Sequence, residues 1–151
     1  FGLYRERTGA MTLICDSEAA TAVATTQIAG AARAMYSMPP DHGAAIVQLI
    51  LTNDVLRAEW DAELTEMRDR INGLRSQFVK QIQSIGIEQD FSFIEREKGM
   101  FSFLGVNVGQ VQTLVNDYSI YLVNSSRINV AGINDANIEY LSNSLATVLK
   151  A

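Results

Sequence analysis

Three arginines, Arg7, Arg33 and Arg127, stand where a charge meets apolar sequence and needs a partner. Arg7 comes just ahead of Gly9 and an apolar run. It reads either as a solvated strand end or as an anion ligand, because a guanidinium presents a planar fork that matches phosphate or carboxylate. Arg33 closes an Ala-rich stretch just before Pro39 and Pro40, a place where a cation also stabilises a helix C-terminus. Arg127 follows the apolar run 120–123 and opens the run 128–130, with only Asn124, Ser125 and Ser126 between. A charge between apolar strands costs free energy unless it is paired. A bound carboxylate would pair it, and so would a structural Asp or Glu.

Other chemistries find little support. The chain has no CxxC, HExxH or phosphate-loop pattern, and its single histidine, His42, lies in a Pro-rich loop. Neither a multi-His metal site nor a Ser-His-Asp set is therefore indicated. The G-V-N-V-G stretch at 105–109 is too loose for a dinucleotide loop. Cys15 is the one cysteine, so no intrachain disulfide forms and a reducing compartment fits. It reads as a small buried apolar side chain. The net charge of −5, from 12 Lys+Arg and 17 Asp+Glu, disfavours nucleic acid and an anionic membrane surface as partners. No segment is long and apolar enough to span a bilayer.

The elements that must position these arginines can be read from spacing. The 151 residues make one ordinary domain in size, and 48% hydrophobic with 19% charged residues is globular composition. Residues 9–15 suit a buried strand. Asp16 or Ser17 caps a helix that runs to Met35. Residues 37–43 form a stiff Pro-Pro loop, and 43–52 a short apolar helix. A long helix follows over 54–85. Its apolar positions Leu56, Trp60, Leu64, Met67, Ile71, Leu74, Phe78, Ile82 and Ile85 step by three or four along one face. At ~1.5 Å per residue it would be roughly 48 Å long, the length of a coiled-coil strand or of a bridge between two domains. Beyond Gly86 the texture becomes α+β. Residues 91–94 and 100–105 read as a hairpin, Val111, Leu114, Val115 and Tyr118 as a short helix, and 120–123 and 127–130 as two more strands. Asn134 or Asp135 starts a last helix faced by Ile138, Leu141, Leu145, Val148 and Leu149.

Three motifs, F-G-L-Y-R-E-R-T-G at 1–9, R-A-M-Y-S-M-P-P-D-H-G at 33–43 and S-R-I-N-V-A-G at 126–132, occur in the order found in fold-type I, pyridoxal-phosphate-dependent aminotransferases. With the long helix between the second and third, essentially the whole chain resembles the later part of such an enzyme, the aspartate aminotransferase type above all. The resemblance implies an α/β fold with the end of the large cofactor-binding domain at 1–53, a bridging helix at 54–85 and a small C-terminal α+β domain at 86–151. It implies that the Schiff-base Lys lies upstream of Phe1, so that this stretch by itself holds no catalytic residue and is inactive alone.

By the same resemblance Arg7 binds the cofactor phosphate and Arg127 the substrate α-carboxylate. Arg33 reaches into the neighbouring subunit's site to grip the distal carboxylate of aspartate or glutamate, with Tyr36 and Ser37 in the same intersubunit stretch. Phe101 lines the site, and Trp60 is a packing residue. The implied partners are dicarboxylic amino acids, their 2-oxo acids and a second copy of the subunit, with transamination between L-aspartate and 2-oxoglutarate as the activity and the cytoplasm, or an organelle, as the location. An aromatic amino-acid aminotransferase of the same subfamily is the nearest alternative. A non-catalytic truncated interaction module is the other, and residues 1–151 by themselves are then expected to aggregate or stay partly molten.

Overall fold

The computed structural model describes residues 1–150. Its elements are α1 (Glu18–Tyr36), α2 (His42–Thr52), α3 (Asp54–Ser84), α4 (Phe93–Arg96), β1 (Phe101–Phe103), α5 (Val108–Tyr118), β2 (Arg127–Asn129) and α6 (Ile138–Lys150), with single 3-10 turns at Tyr4–Glu6 and Val130–Gly132. Two compact units divide within α3, one ending at Glu63 and the other beginning at Leu64.

In the first unit the turn Tyr4–Glu6 ends at Arg7, which takes the left-handed conformation with φ 51°. Residues 9–15 are irregular, against the expected strand, and Ile14 is 94% exposed. A strand exists only through a hydrogen-bonded neighbour, and among the described residues none pairs with this run. Cys15 is half-buried and free. Helix α1 starts as anticipated, with the Ser17 hydroxyl accepting the Ala20 N–H at 3.2 Å. It stops at Ser37, whose N–H donates to the Arg33 carbonyl at 3.1 Å.

Gly43, in the first turn of α2, is buried against the Glu6–Thr8 stretch. A Cβ there would overlap the Thr8 hydroxyl and come within 2.7 Å of the Glu6 Cβ. His42 Nδ1 lies 3.1 Å from Glu6 Oε2. The Asn53 side chain starts α3 by accepting the Val55 and Leu56 N–H groups, each at 3.1 Å. Phe1 and Trp60 stack with centroids 4.6 Å apart, which fits packing as the role of Trp60.

The second unit has a continuous core. Leu74, Phe78, Val79 and Ile82 of α3 meet Phe91, Ile94, Leu104, Val111, Leu114, Val130, Leu145 and Val148. The apolar stripe of α3 is therefore covered from Ile71 onward, whereas Leu64 and Met67 are exposed. Residues 91–94 are not a strand: Phe91 and Ile94, three apart and both buried, lie on one side of the turn that leads into α4. Asp90 holds that turn, its carboxylate accepting the Ser92 N–H at 2.8 Å and the Ser92 hydroxyl at 2.9 Å. Those two bonds, the backbone one first, lower the Asp90 pKa below its ordinary value of 3.8.

With 91–92 in a turn and 93–96 helical, the expected hairpin does not form and β1 pairs antiparallel with β2 instead, Phe101 opposite Asn129, Ser102 opposite Ile128 and Phe103 opposite Arg127. Residues 120–123 run unpaired, their apolar side chains being drawn by the core (Ile120, Leu122) rather than by a ladder. Asn107 and Gln110 close a reciprocal capping box on α5. Asn134 accepts the Ala136 and Asn137 N–H groups at 3.0 and 3.1 Å and leads into α6. None of the helices is long and apolar enough to cross a membrane, among the described residues.

Candidate functional site

The short pair β1/β2 sorts its side chains by the two-residue period of strands. Ser102 is buried and Ile128 half-buried, while Phe101, Phe103, Arg127 and Asn129 face outward. Arg127 thus escapes the apolar interior suggested by its sequence context, because the strand turns it to the solvent side. Of its two candidate partners, no structural Asp or Glu lies within ion-pair distance among the described residues. Its guanidinium carbon sits 4.7 Å from the centroid of the Phe101 ring, a separation that holds a cation on an aromatic face while leaving its N–H edge free. Arg127 and Phe101 share the wall of a cavity of about 900 Å³ with Val115, Ile120, Leu122 and Tyr140. A free planar fork at the rim of an apolar hollow is suited to a carboxylate carried on a small organic body.

The turn before Arg127 is held tightly. Ser126 is buried with φ 64°. Its carbonyl accepts the Leu104 N–H at 3.0 Å and its hydroxyl the Gly105 N–H at 3.1 Å, so the start of β2 is tied to the end of β1. On the far side, the Val130 N–H donates to the Met100 carbonyl at 2.7 Å.

Arg7 lies in the first unit, exposed, beside a hollow of about 400 Å³ lined by Gly2, Leu3, Tyr4, Thr8 and Gly9. Its Nη1 donates to the Tyr4 carbonyl at 3.3 Å. A guanidinium and the Thr8 hydroxyl around one small hollow form a donor set that fits a phosphate. Arg33, Tyr36 and Ser37 gather at the exposed C-terminal end of α1, where the cation complements the helix dipole and its guanidinium has no acidic partner within ion-pair distance among the described residues. The residues singled out from sequence thus fall in three places: Arg127 with Phe101, Arg33 with Tyr36 and Ser37, and Arg7 by itself, bonded to the Tyr4 carbonyl.

Two arginines of α3 support the first of these groups and were not singled out. Arg75 is 1% exposed. It donates to the Ile94 carbonyl at 2.9 Å, the Gly99 carbonyl at 2.7 Å and the Phe101 carbonyl at 3.1 Å, and also to the Ser102 hydroxyl. Arg70 donates to the Ala131 carbonyl at 3.2 Å and the Ile133 carbonyl at 3.2 Å. A signal for Arg75 existed: it follows Ile71 by four and precedes Phe78 by three, so a charge occupies the apolar stripe.

The model of the family described as aminotransferase class I and II matches residues 1–145. An aspartate aminotransferase of Haemophilus influenzae is 48% identical over 99% of this chain and 38% of its own length. An aromatic-amino-acid aminotransferase of Paracoccus denitrificans is 40% identical over 98% of this chain and 38% of its own. The crystal structure of an aromatic-amino-acid aminotransferase from Burkholderia pseudomallei, covalently bound to pyridoxal phosphate, superposes with a TM-score of 0.86 at 44% identity, over 97% of this chain and 37% of that one. The chain therefore spans a little over a third of the length of the relatives it matches.

Proposed function

The chain belongs to the class I and II aminotransferases, in the fold-type I class of α/β enzymes, and from that premise we propose that the protein it forms part of transfers the amino group between L-aspartate and 2-oxoglutarate with pyridoxal phosphate as cofactor. The observation that carries this reading is the Arg127 guanidinium, set on the face of Phe101 at 4.7 Å beside an apolar hollow and without an acidic partner among the described residues.

In this reading Arg127 takes the α-carboxylate bidentately. Phe101 limits the sideways motion of the guanidinium and excludes water from one of its faces. Arg33 takes the distal carboxylate, with Tyr36 and Ser37 beside it. It does so in a second subunit, which makes the working form a homodimer with shared sites. A fork at each end of a dicarboxylate fixes the direction of the Cα–H bond. It also penalises a neutral side chain, which would leave a guanidinium unpaired. Arg7 and the Thr8 hydroxyl hold the cofactor phosphate. Pyridoxal phosphate itself supplies the electron sink for the Cα–H electrons. Amino donor and 2-oxo acid use the same site in turn, a ping-pong order. A cytoplasmic location fits the unpaired Cys15.

The similarity to aromatic-amino-acid aminotransferases, and the apolar wall beside Arg127, favour a second reading in which aromatic amino acids are used as well. Rates of the full-length protein on phenylalanine and on aspartate separate the two.

The main test is a coupled assay of the full-length protein. Removing one partner of a hydrogen-bonded charge pair costs about 2–5 kcal/mol. Arg127→Ala and Arg33→Ala should therefore each lower kcat/KM for aspartate by between roughly thirtyfold and several thousandfold. Turnover undiminished in either variant removes that residue from the site.

A further inference from the structure

We infer that Arg75 is a positioning residue for the carboxylate site, acting through β1 on Phe101 and Arg127; the inference rests on the reading of Arg127 as the carboxylate ligand. Strand β1 has three residues and one neighbour, β2, also of three. A two-stranded pair of that size does not hold its own plane in water. Ties at Ser126 and Val130 join the ends of β1 to β2, and one guanidinium anchors β1 to α3. Arg75 Nη1 reaches the Ile94 carbonyl and the Ser102 hydroxyl, and Nη2 the Gly99 and Phe101 carbonyls. A single buried side chain of α3 thereby fixes the backbone from the end of α4 through β1. Glu97 stands 3.5 Å from Nη1 and offsets the buried charge.

Phe101 is held from both sides, its carbonyl by Arg75 and its ring beneath Arg127. Arg127 accepts no such help directly. Its bearing depends on the ladder with Phe103 and on the ring of Phe101. A shift of β1 therefore reaches the carboxylate fork by both routes.

The chemistry requires arginine at this position. The four acceptors are divided between two nitrogens of one guanidinium, whereas an ammonium offers its three donors from one atom.

The experiment uses the full-length enzyme and four variants, Arg75→Lys, Ser102→Ala, Arg127→Ala and the Arg75→Lys/Arg127→Ala pair, with kcat, KM for 2-oxoglutarate and thermal midpoint measured on each. Arg75→Lys should raise KM about tenfold while kcat changes less than about threefold, because a misplaced fork loses orientation rather than charge. Ser102→Ala, which removes one acceptor and keeps the buried cation, should raise KM in the same direction by roughly twofold. In the Arg127→Ala background, Arg75→Lys should leave KM where Arg127→Ala has already put it. A lowered thermal midpoint with KM unchanged in both Arg75→Lys and Ser102→Ala overturns the inference and leaves Arg75 a purely structural residue. Should Arg75→Lys not accumulate as folded protein, KM of Ser102→Ala decides by itself. An unchanged KM in Arg127→Ala would bring down the reading of Arg127, a different failure and a distinguishable one.

Discussion

The two units of this chain carry comparable numbers of helices and different amounts of interior. Up to Glu63 the one buried residue is Gly43, and Tyr4, Ile14 and Met38 stand open to solvent. From Leu64 onward fourteen apolar side chains form one buried cluster. Both units have capped helices, so local signals do not separate them. The difference lies in whether the apolar side chains find each other. A helix contributes little stability by propensity alone and much by burying a face. The arginines proposed as anion ligands do not follow the packing: Arg7 and Arg33 stand on the first unit, Arg127 on the second.

The largest expected difference is in amide hydrogen exchange of residues 1–151 expressed alone. Core amides of the second unit, such as those of Phe78, Ile82 and Leu114, should exchange on the order of 10³ times more slowly than amides of α1, because local opening free energies follow buried contact. Equal protection of the two units would break the comparison.

Next comes the one tight spot of the first unit. Gly43→Ala drives a methyl into the Glu6–Thr8 stretch and should destabilise the full-length protein by about 1–3 kcal/mol, the usual penalty for overpacking. It should also weaken the hold on the cofactor phosphate, because the displaced stretch carries Arg7. Denaturant midpoint and cofactor titration read the two effects, and a neutral result on both would mean that Gly43 is not a packing contact.

The smallest effect belongs to an exposed corner of the second unit. The Asp90 carboxylate has its pKa lowered by the Ser92 N–H and hydroxyl. Its contribution is therefore complete above the ordinary carboxylate value and is lost as the pH falls through the lowered one. Asp90→Asn should flatten this small acid-side dependence of thermal stability. A wild-type and a variant profile that run parallel below pH 4 would exclude any contribution from Asp90.

Helices were legible because their signals are local. Ser17 lies where a cap is needed, and the steps of three and four from Ile71 to Ile82 outline a face that is covered in the structure. Strands were misjudged at 9–15, 91–94 and 120–123, for a physical reason. A short apolar run has no period of its own, and only a neighbour makes it a strand. Residues 9–15 and 120–123 have no such neighbour among the described residues, and Phe91 with Ile94 used a spacing of three to bury both side chains in a helical turn.

The arginines were legible as residues in need of anions, yet their surroundings were not. Nothing local says that Arg127 would rest on Phe101, twenty-six positions earlier in the chain. Arg75 was overlooked because a stripe is traced through apolar residues and a charge within it passes as an interruption, although here the interruption holds the strand.

The Ser126 turn has a consequence for how this site tolerates change in chain length. Because β2 is only three residues long, parity decides everything about it. A slip of β2 by one residue against β1 would point Ile128 outward and press a guanidinium against the core. The Ser126 carbonyl and hydroxyl, both bonded to the end of β1, oppose such a slip, so a change of length in the connection keeps the arginine outward when it is absorbed before Ser126.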